Sequence, residues 1–336
     1  MRTIRSMRRE SGYGRPATRR ARVVRSGVAA AGVLALTLGL SSCGKANPYY
    51  SGAPNTVTLP VAAWAGAEAN VAVAKQVLEK KLGYRVKTLQ MDEPVAFDAL
   101  NTGRADALLE DWRGVPKKEK KYVEELKTVV YAGKLGVTGH IGWYVPTYFA
   151  KKHPEVKNWK NLPKLKKYFQ TPESGDKGRL LEGSPSFSTY DDAIIKNLDL
   201  PYKTVYAGSE AAQVKEMQKR AAKKEPFLTY WWTPQWLNSK IPMTEVKLPK
   251  RTKGCDAVPS KVDCAYPYTP LAKFMNRDFA ENGGKAAEFL KKFHWSTEDQ
   301  TKVVKWMTID KMDTDEAAAK WVKENPEKWK KWMPDK

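Results

Sequence analysis

The chain has 336 residues, 42% hydrophobic and 29% charged, which suits one large or two ordinary domains and excludes global disorder. Lys plus Arg outnumber Asp plus Glu by 59 to 37, a formal charge of +22. Three His and three Cys against 12 Trp exclude a His-rich metal centre and a disulfide-dense scaffold, and no apolar run reaches the 18 residues of a spanning helix.

Residues 1–42 read as a secretory signal peptide. Arg2, Arg5, Arg8, Arg9, Arg15, Arg19, Arg20, Arg22 and Arg25 form a basic start, opposed only by Glu10, before the apolar stretch 27–40. A helix of about 14 residues spans about 21 Å, short of the roughly 30 Å hydrocarbon core. The following Leu40-Ser41-Ser42-Cys43-Gly44 resembles a bacterial lipobox, which makes Cys43 the lipidated first residue of the mature chain and 43–56 its tether. Arg19-Arg20 leaves general and twin-arginine export both open. Losing nine Arg and one Glu lowers the charge from +22 to +14. That balance suits a solvated surface near an anionic membrane. The secretory address argues against nucleic acid as a partner.

In the mature chain, 56–60 alternates like a strand, 68–82 carries a helical apolar face closed by Gly83, and 85–89 is strand-like again. A helix over 93–102 and a strand over 105–109 follow. This strand-helix alternation is the α/β pattern with crossover connections. Further on, 137–145 reads as extended, 164–168 as a short helix, 179–183 as a strand, 190–197 and 210–223 as helices, and 226–232 as a strand. The segment 265–268 is extended, and helices are expected over 284–293, 297–307 and 314–325. Cys255 and Cys264, close in sequence on an oxidising side of the membrane, are expected to form a disulfide.

His140, His153 and His294 are isolated, and neither a nucleophile elbow, a P-loop nor a dinucleotide fingerprint is present, so nothing argues for an enzyme. The distinctive feature is aromatic residues at the ends of predicted strands and the starts of the loops after them: Trp64, Trp112, Trp231, Trp232 and Trp236, with Phe187 and Tyr190 in a loop before a helix. Ligands of open α/β sheets sit beyond the carboxyl ends of strands. Ring faces gathered there hold a quaternary ammonium by cation–π attraction. Helix starts nearby offer N–H groups to a carboxylate, and the combination describes a betaine. Trp306, Trp321, Trp329 and Trp332 have a different spacing and read as packing residues.

The stretches 64–84, 99–112, 230–236, 265–274 and 316–332 resemble the substrate-binding proteins of ABC importers for glycine betaine and related compatible solutes. The resemblance implies an α/β, two-lobed, periplasmic-binding-protein-like (type II) fold with a ligand cleft between lobes, built from 57–144 plus 262–336 and from 145–261. It implies a monomer with no cofactor, tethered outside the membrane, that binds a quaternary ammonium solute and delivers it to a permease and its ATPase. Trp112 and Trp232 match cage positions, Trp64 lines the pocket, and the third cage residue falls on Phe187 or Tyr190. Gln235 stands where some relatives carry a His that helps with the carboxylate. Glu110, two residues before Trp112 on a strand, either reaches the pocket and favours choline or bonds structural groups. Glycine betaine or proline betaine is the expected solute. Choline, carnitine or ectoine is the alternative, and a carbohydrate-binding or polyanion-binding surface protein is more distant.

Overall fold

The computed structural model describes residues 55–335; the expected signal peptide 1–42, the expected lipidation site Cys43 and the expected tether up to residue 54 lie outside the described residues. Strand β1 (Thr56–Val61) pairs in parallel with β2 (Arg85–Gln90), and the helix between them, α1 (Ala65–Leu82), crosses over the pair. The small residues Ala69, Ala72 and Ala74 alternate with Val71, Val73 and Val77 along α1, all buried. Gly83 ends α1 in the left-handed region at φ 74°, where only glycine is free of strain. Helix α2 (Glu93–Asn101) leads to β3 (Ala107–Asp111), every residue of which is buried. Reciprocal bonds hold β1 beside the start of β3. Thr58 N–H donates to the Asp106 carboxylate at 2.6 Å, and Asp106 N–H donates to the Thr58 carbonyl at 2.8 Å.

The main sheet turns on β4 (Val129–Pro146). Its first half runs antiparallel to β9 (Tyr268–Asn276), from Val129 opposite Asn276 to His140 opposite Tyr268. Its second half pairs with β7 (Leu228–Thr233) and β8 (Met243–Val246). On the far side of β7 lie β5 (Gly178–Glu182) and β6 (Tyr202–Tyr206), both parallel, and β3 edges the other end against β9. One 18-residue strand therefore carries the chain from one half of the sheet to the other.

Four strands depart most from the sequence expectation. β4 starts eight residues before 137, because register shifts at Gly133 and Gly136 interrupt its alternation. Gly136 has φ 103° and packs on the Trp295 carbonyl, which a Cβ would approach to 2.3 Å. The extended segment expected over 265–268 lies instead at 268–276; Pro270 stands opposite Thr138 beside a register shift of β4, and the pairing with β3 extends only to Ala272. β6 and β8 lie outside the expected strands, each only four or five residues long with polar residues interspersed.

The aromatic C-terminus packs as expected. Trp321 and Trp332 are buried and stack with their centroids 5.6 Å apart, beside Phe293 and Trp295. Cys255 and Cys264 are disulfide-bonded, with Cα atoms 6.3 Å apart. Among the described residues no helix is long and apolar enough to cross a membrane, and no cluster of His, Cys, Asp and Glu could hold a metal ion.

Candidate functional site

The carboxyl ends of β1, β3 and β7 converge. Trp64 follows β1 as the extended residue before α1, and Trp112 follows β3. On β7 the period of two puts Tyr230 and Trp232 on one face. Trp231 points the other way, fully buried, its indole N–H on Asn238 at 2.8 Å. The loop after β5 contributes Phe187. Together with Glu93, Ile141, Ser186 and Ser188 these rings line one cavity of about 470 Å³, counting its open mouth. Phe187 meets Trp64 at 5.9 Å and Trp232 at 6.0 Å, nearly perpendicular to both, and Tyr230 stands 6.0 Å from Trp232. Trp112 lies flat on β4 at Gly139, where a Cβ would come within 2.2 Å of its ring.

Glu110 sets two of the indoles. Its Oε1 accepts the Trp64 N–H at 2.7 Å and the Trp112 N–H at 2.8 Å. Its Oε2 accepts from Gln300 at 3.1 Å and from Asn70. Burial raises the Glu110 pKa, and the four donors offset only part of that rise. The carboxylate thus stands behind the rings, outside the cavity lining, which favours the structural one of its two expected roles.

A pair of acids, Glu182 and Asp191, flanks the Phe187 loop. Asp191 accepts from the Trp143 indole at 2.7 Å and the Tyr266 hydroxyl at 2.9 Å. Glu182, at the end of β5, is pushed up to about 11 by burial and then by the charge of Asp191. Glu182 therefore keeps its proton, and the two carboxyls bracket the loop that presents Phe187. Gly183 gives that ring room: a Cβ there would lie 2.7 Å from it.

Of the residues singled out from sequence, the structure gathers Trp64, Trp112, Phe187 and Trp232 at the cavity. Tyr190 is not among the lining residues; it stacks on Tyr266 at 5.9 Å and its N–H donates to that hydroxyl at 2.7 Å. Gln235 is not there either. Its amide donates to Glu210, and its oxygen accepts the Leu237 N–H at 3.0 Å. Sequence reasoning missed Glu93, Ile141, Ser186, Ser188 and Tyr230. Tyr230 could have been found, since it shares a strand face with Trp232. Glu93 could not, because an acid in a first helical turn ordinarily serves the helix dipole.

Comparison with known proteins agrees with this geometry. A family model, the substrate binding domain of ABC-type glycine betaine transport systems, matches residues 55–324. The chain is 26% identical over 293 residues to the trimethylamine N-oxide-binding protein of Pelagibacter ubique, covering 81% of this chain and 89% of that one. It is 29% identical over 124 residues to the glycine betaine/carnitine transport binding protein GbuC of Listeria monocytogenes, 37% of each chain. Among solved structures, an ABC-transporter choline binding protein with choline superposes with a TM-score of 0.68 at 18% identity, covering 83% of this chain and 91% of that one. Lactococcal OpuAC, closed on glycine betaine, gives 0.65 at 20%, covering 83% and 100%. The shared fold is that of the two-lobed periplasmic binding proteins.

Proposed function

The chain belongs to the OpuAC family, the substrate-binding domains of ABC-type glycine betaine transport systems, and from this we propose that its ring-lined cavity holds a methylated ammonium solute. The family is extracytoplasmic and binds rather than catalyses; it works with a permease and an ATPase subunit. The observation that carries the reading is the sharing of one Glu110 oxygen by two indole N–H groups. It holds Trp64 and Trp112 in the cavity wall opposite Phe187 and Trp232. Electron-rich faces on several sides stabilise a cation that has no N–H to donate.

We take 57–144 plus 262–336 as one lobe and 145–261 as the other. Two contacts across that division support a closed arrangement: the Ser186 hydroxyl on Asp92 at 3.0 Å and Glu210 on the Ala65 N–H at 2.9 Å. Solution scattering that shows no compaction on adding ligand would sink the closing motion. A lipid on Cys43 and a monomeric state belong to the same proposal, and intact mass and sedimentation test them.

The test of the site is Trp fluorescence of the purified protein titrated with tetramethylammonium, choline, glycine betaine and trimethylamine N-oxide. A saturable change is expected with at least one of them. It should persist in about 0.5 M salt, because ring contacts are short-ranged and unscreened, and vanish in Trp112→Ala/Trp232→Ala. No response from any of the four, with the protein folded by circular dichroism, overturns the reading.

A further inference from the structure

Glu93 is the one carboxylic acid among the residues lining the cavity, and no Lys, Arg or His lines it. It opens α2 and is 5% exposed. Its Oε1 accepts the Trp112 backbone N–H at 2.7 Å, and the Gly114 N–H also bonds its carboxylate. Across from it is Asp111, the last residue of β3. Asp111 is completely buried, and neither of its oxygens has a partner other than Glu93 and the backbone of Arg113. Two acids so placed share one proton. Asp111 keeps it, because burial and then the charge of Glu93 push its pKa well above the carboxylate range. Burial raises the Glu93 pKa as well, but the Asp111 hydrogen bond and the Trp112 and Gly114 N–H groups oppose it, so Asp111 is the donor and Glu93 the member of the pair that carries its negative charge at the cavity wall.

The loop 186–188 closes over this acid. At Gly114 a Cβ would lie 2.7 Å from Glu93 Oε2 and 2.5 Å from the Ser188 Cβ, so only glycine lets the loop come down there. A ligand whose polar end turns to this side of the cavity meets a carboxylate that two amides and a buried acid hold in place.

We propose that Glu93 determines specificity: the cavity accepts methylated ammonium ions whose polar end donates a hydrogen bond, as the hydroxyl of choline does, and rejects those that end in a carboxylate. This rests on the ammonium reading above and narrows it. A ligand carboxylate would face Glu93 with no cation in the lining to offset it. Trimethylamine N-oxide, whose oxygen only accepts, falls with the betaines unless it binds protonated.

The test is calorimetric titration of wild type, Glu93→Gln and Asp111→Asn with tetramethylammonium, choline and glycine betaine. Wild type should bind choline at least about tenfold more tightly than glycine betaine. Glu93→Gln should weaken choline and tetramethylammonium and strengthen glycine betaine, bringing the ratio near or below one. Asp111→Asn, which still donates to Glu93, should leave the ratio unchanged. Glycine betaine equal to or tighter than choline in wild type overturns the proposal, whether or not the variants fold. So does a ratio that Glu93→Gln fails to move. If tetramethylammonium itself does not bind the folded wild type, the cage reading has failed and this inference falls with it; if it binds with the ratio reversed, only the inference fails.

Discussion

Gly139→Ala isolates the cage from every question of ligand identity. Gly139 sits inside β4 opposite Thr269 of β9, outside the left-handed region, so alanine suits its backbone. The added methyl would stand 2.2, 2.5 and 2.9 Å from three atoms of the Trp112 ring. Carbon atoms pack at about 3.5–4.0 Å, so the ring must retreat by more than about 1 Å. It cannot do so freely, because its N–H is tied to Glu110 at 2.8 Å. Losing that bond to a charged acceptor costs about 1.5–3 kcal/mol of stability. Displacing one ring face from a bound cation removes about 0.5–2 kcal/mol of binding, with roughly tenfold in affinity as the central expectation. Calorimetry with tetramethylammonium reads the affinity and thermal unfolding reads the stability. In a Trp112→Ala background the same methyl has nothing to displace and should cost no further affinity, so the two substitutions are non-additive. An affinity within about twofold of wild type in Gly139→Ala alone would refute the placement of Trp112 as a wall of the site.

The parts of this molecule that were legible before its structure are those governed by one local rule. Trp64 and Trp112 stand just past strands and Trp232 one residue before the end of β7, and strand ends of an α/β sheet face the ligand whatever the rest of the chain does. Gly83 marks the end of α1 by its left-handed conformation alone. Sequence alone leaves the third cage ring open between Phe187 and Tyr190, because no periodicity applies within a loop. The decision is made at a distance, where Tyr266 from another segment captures the Tyr190 N–H and stacks on its ring.

Glu93 illustrates a deeper limit. Nothing near it in sequence separates a cavity acid from an ordinary first-turn acid. Its role arises from the register of α2 against the end of β3, which sets Asp111 beside it and the Trp112 N–H on its oxygen. The same holds for β4. The glycines that hide its length from a pattern reader are required by its neighbour, since the Trp295 backbone fills the space where a Gly136 side chain would lie. Local pattern fails where a residue answers to another segment, as Glu93 does to the end of β3 and Gly136 to the Trp295 backbone.

Replacing Cys255 and Cys264 by Ser reopens a loop of about ten residues, which chain entropy values at about 2.5 kcal/mol; the melting temperature should fall by a few degrees with ligand affinity unchanged. Trp332→Ala removes a buried ring stacked on Trp321 and should destabilise by about 3–5 kcal/mol in denaturant unfolding, again without touching the site. Glu210→Gln tests whether a buried charge opposes the folded state beside the cage. Glu210 Oε2 accepts the Ala65 N–H at 2.9 Å at the start of α1, next to Trp64. Burial, with smaller additions from the charges of Glu68 and Glu110, raises its pKa from 4.5 to about 7. An acid raised on folding binds its proton more tightly in the native state. Its stabilising contribution is complete below about pH 4.5, declines as pH rises, and is lost above about pH 7, a span worth about 3 kcal/mol. Glutamine imitates the protonated acid and keeps an oxygen for Ala65. Melting temperatures of variant and wild type should therefore nearly coincide at about pH 4.5 and separate by several degrees at pH 8, the variant being higher. A gap of the same size at both values would mean that Glu210 carries its charge without penalty, and that the amides at the start of α1 outweigh its burial.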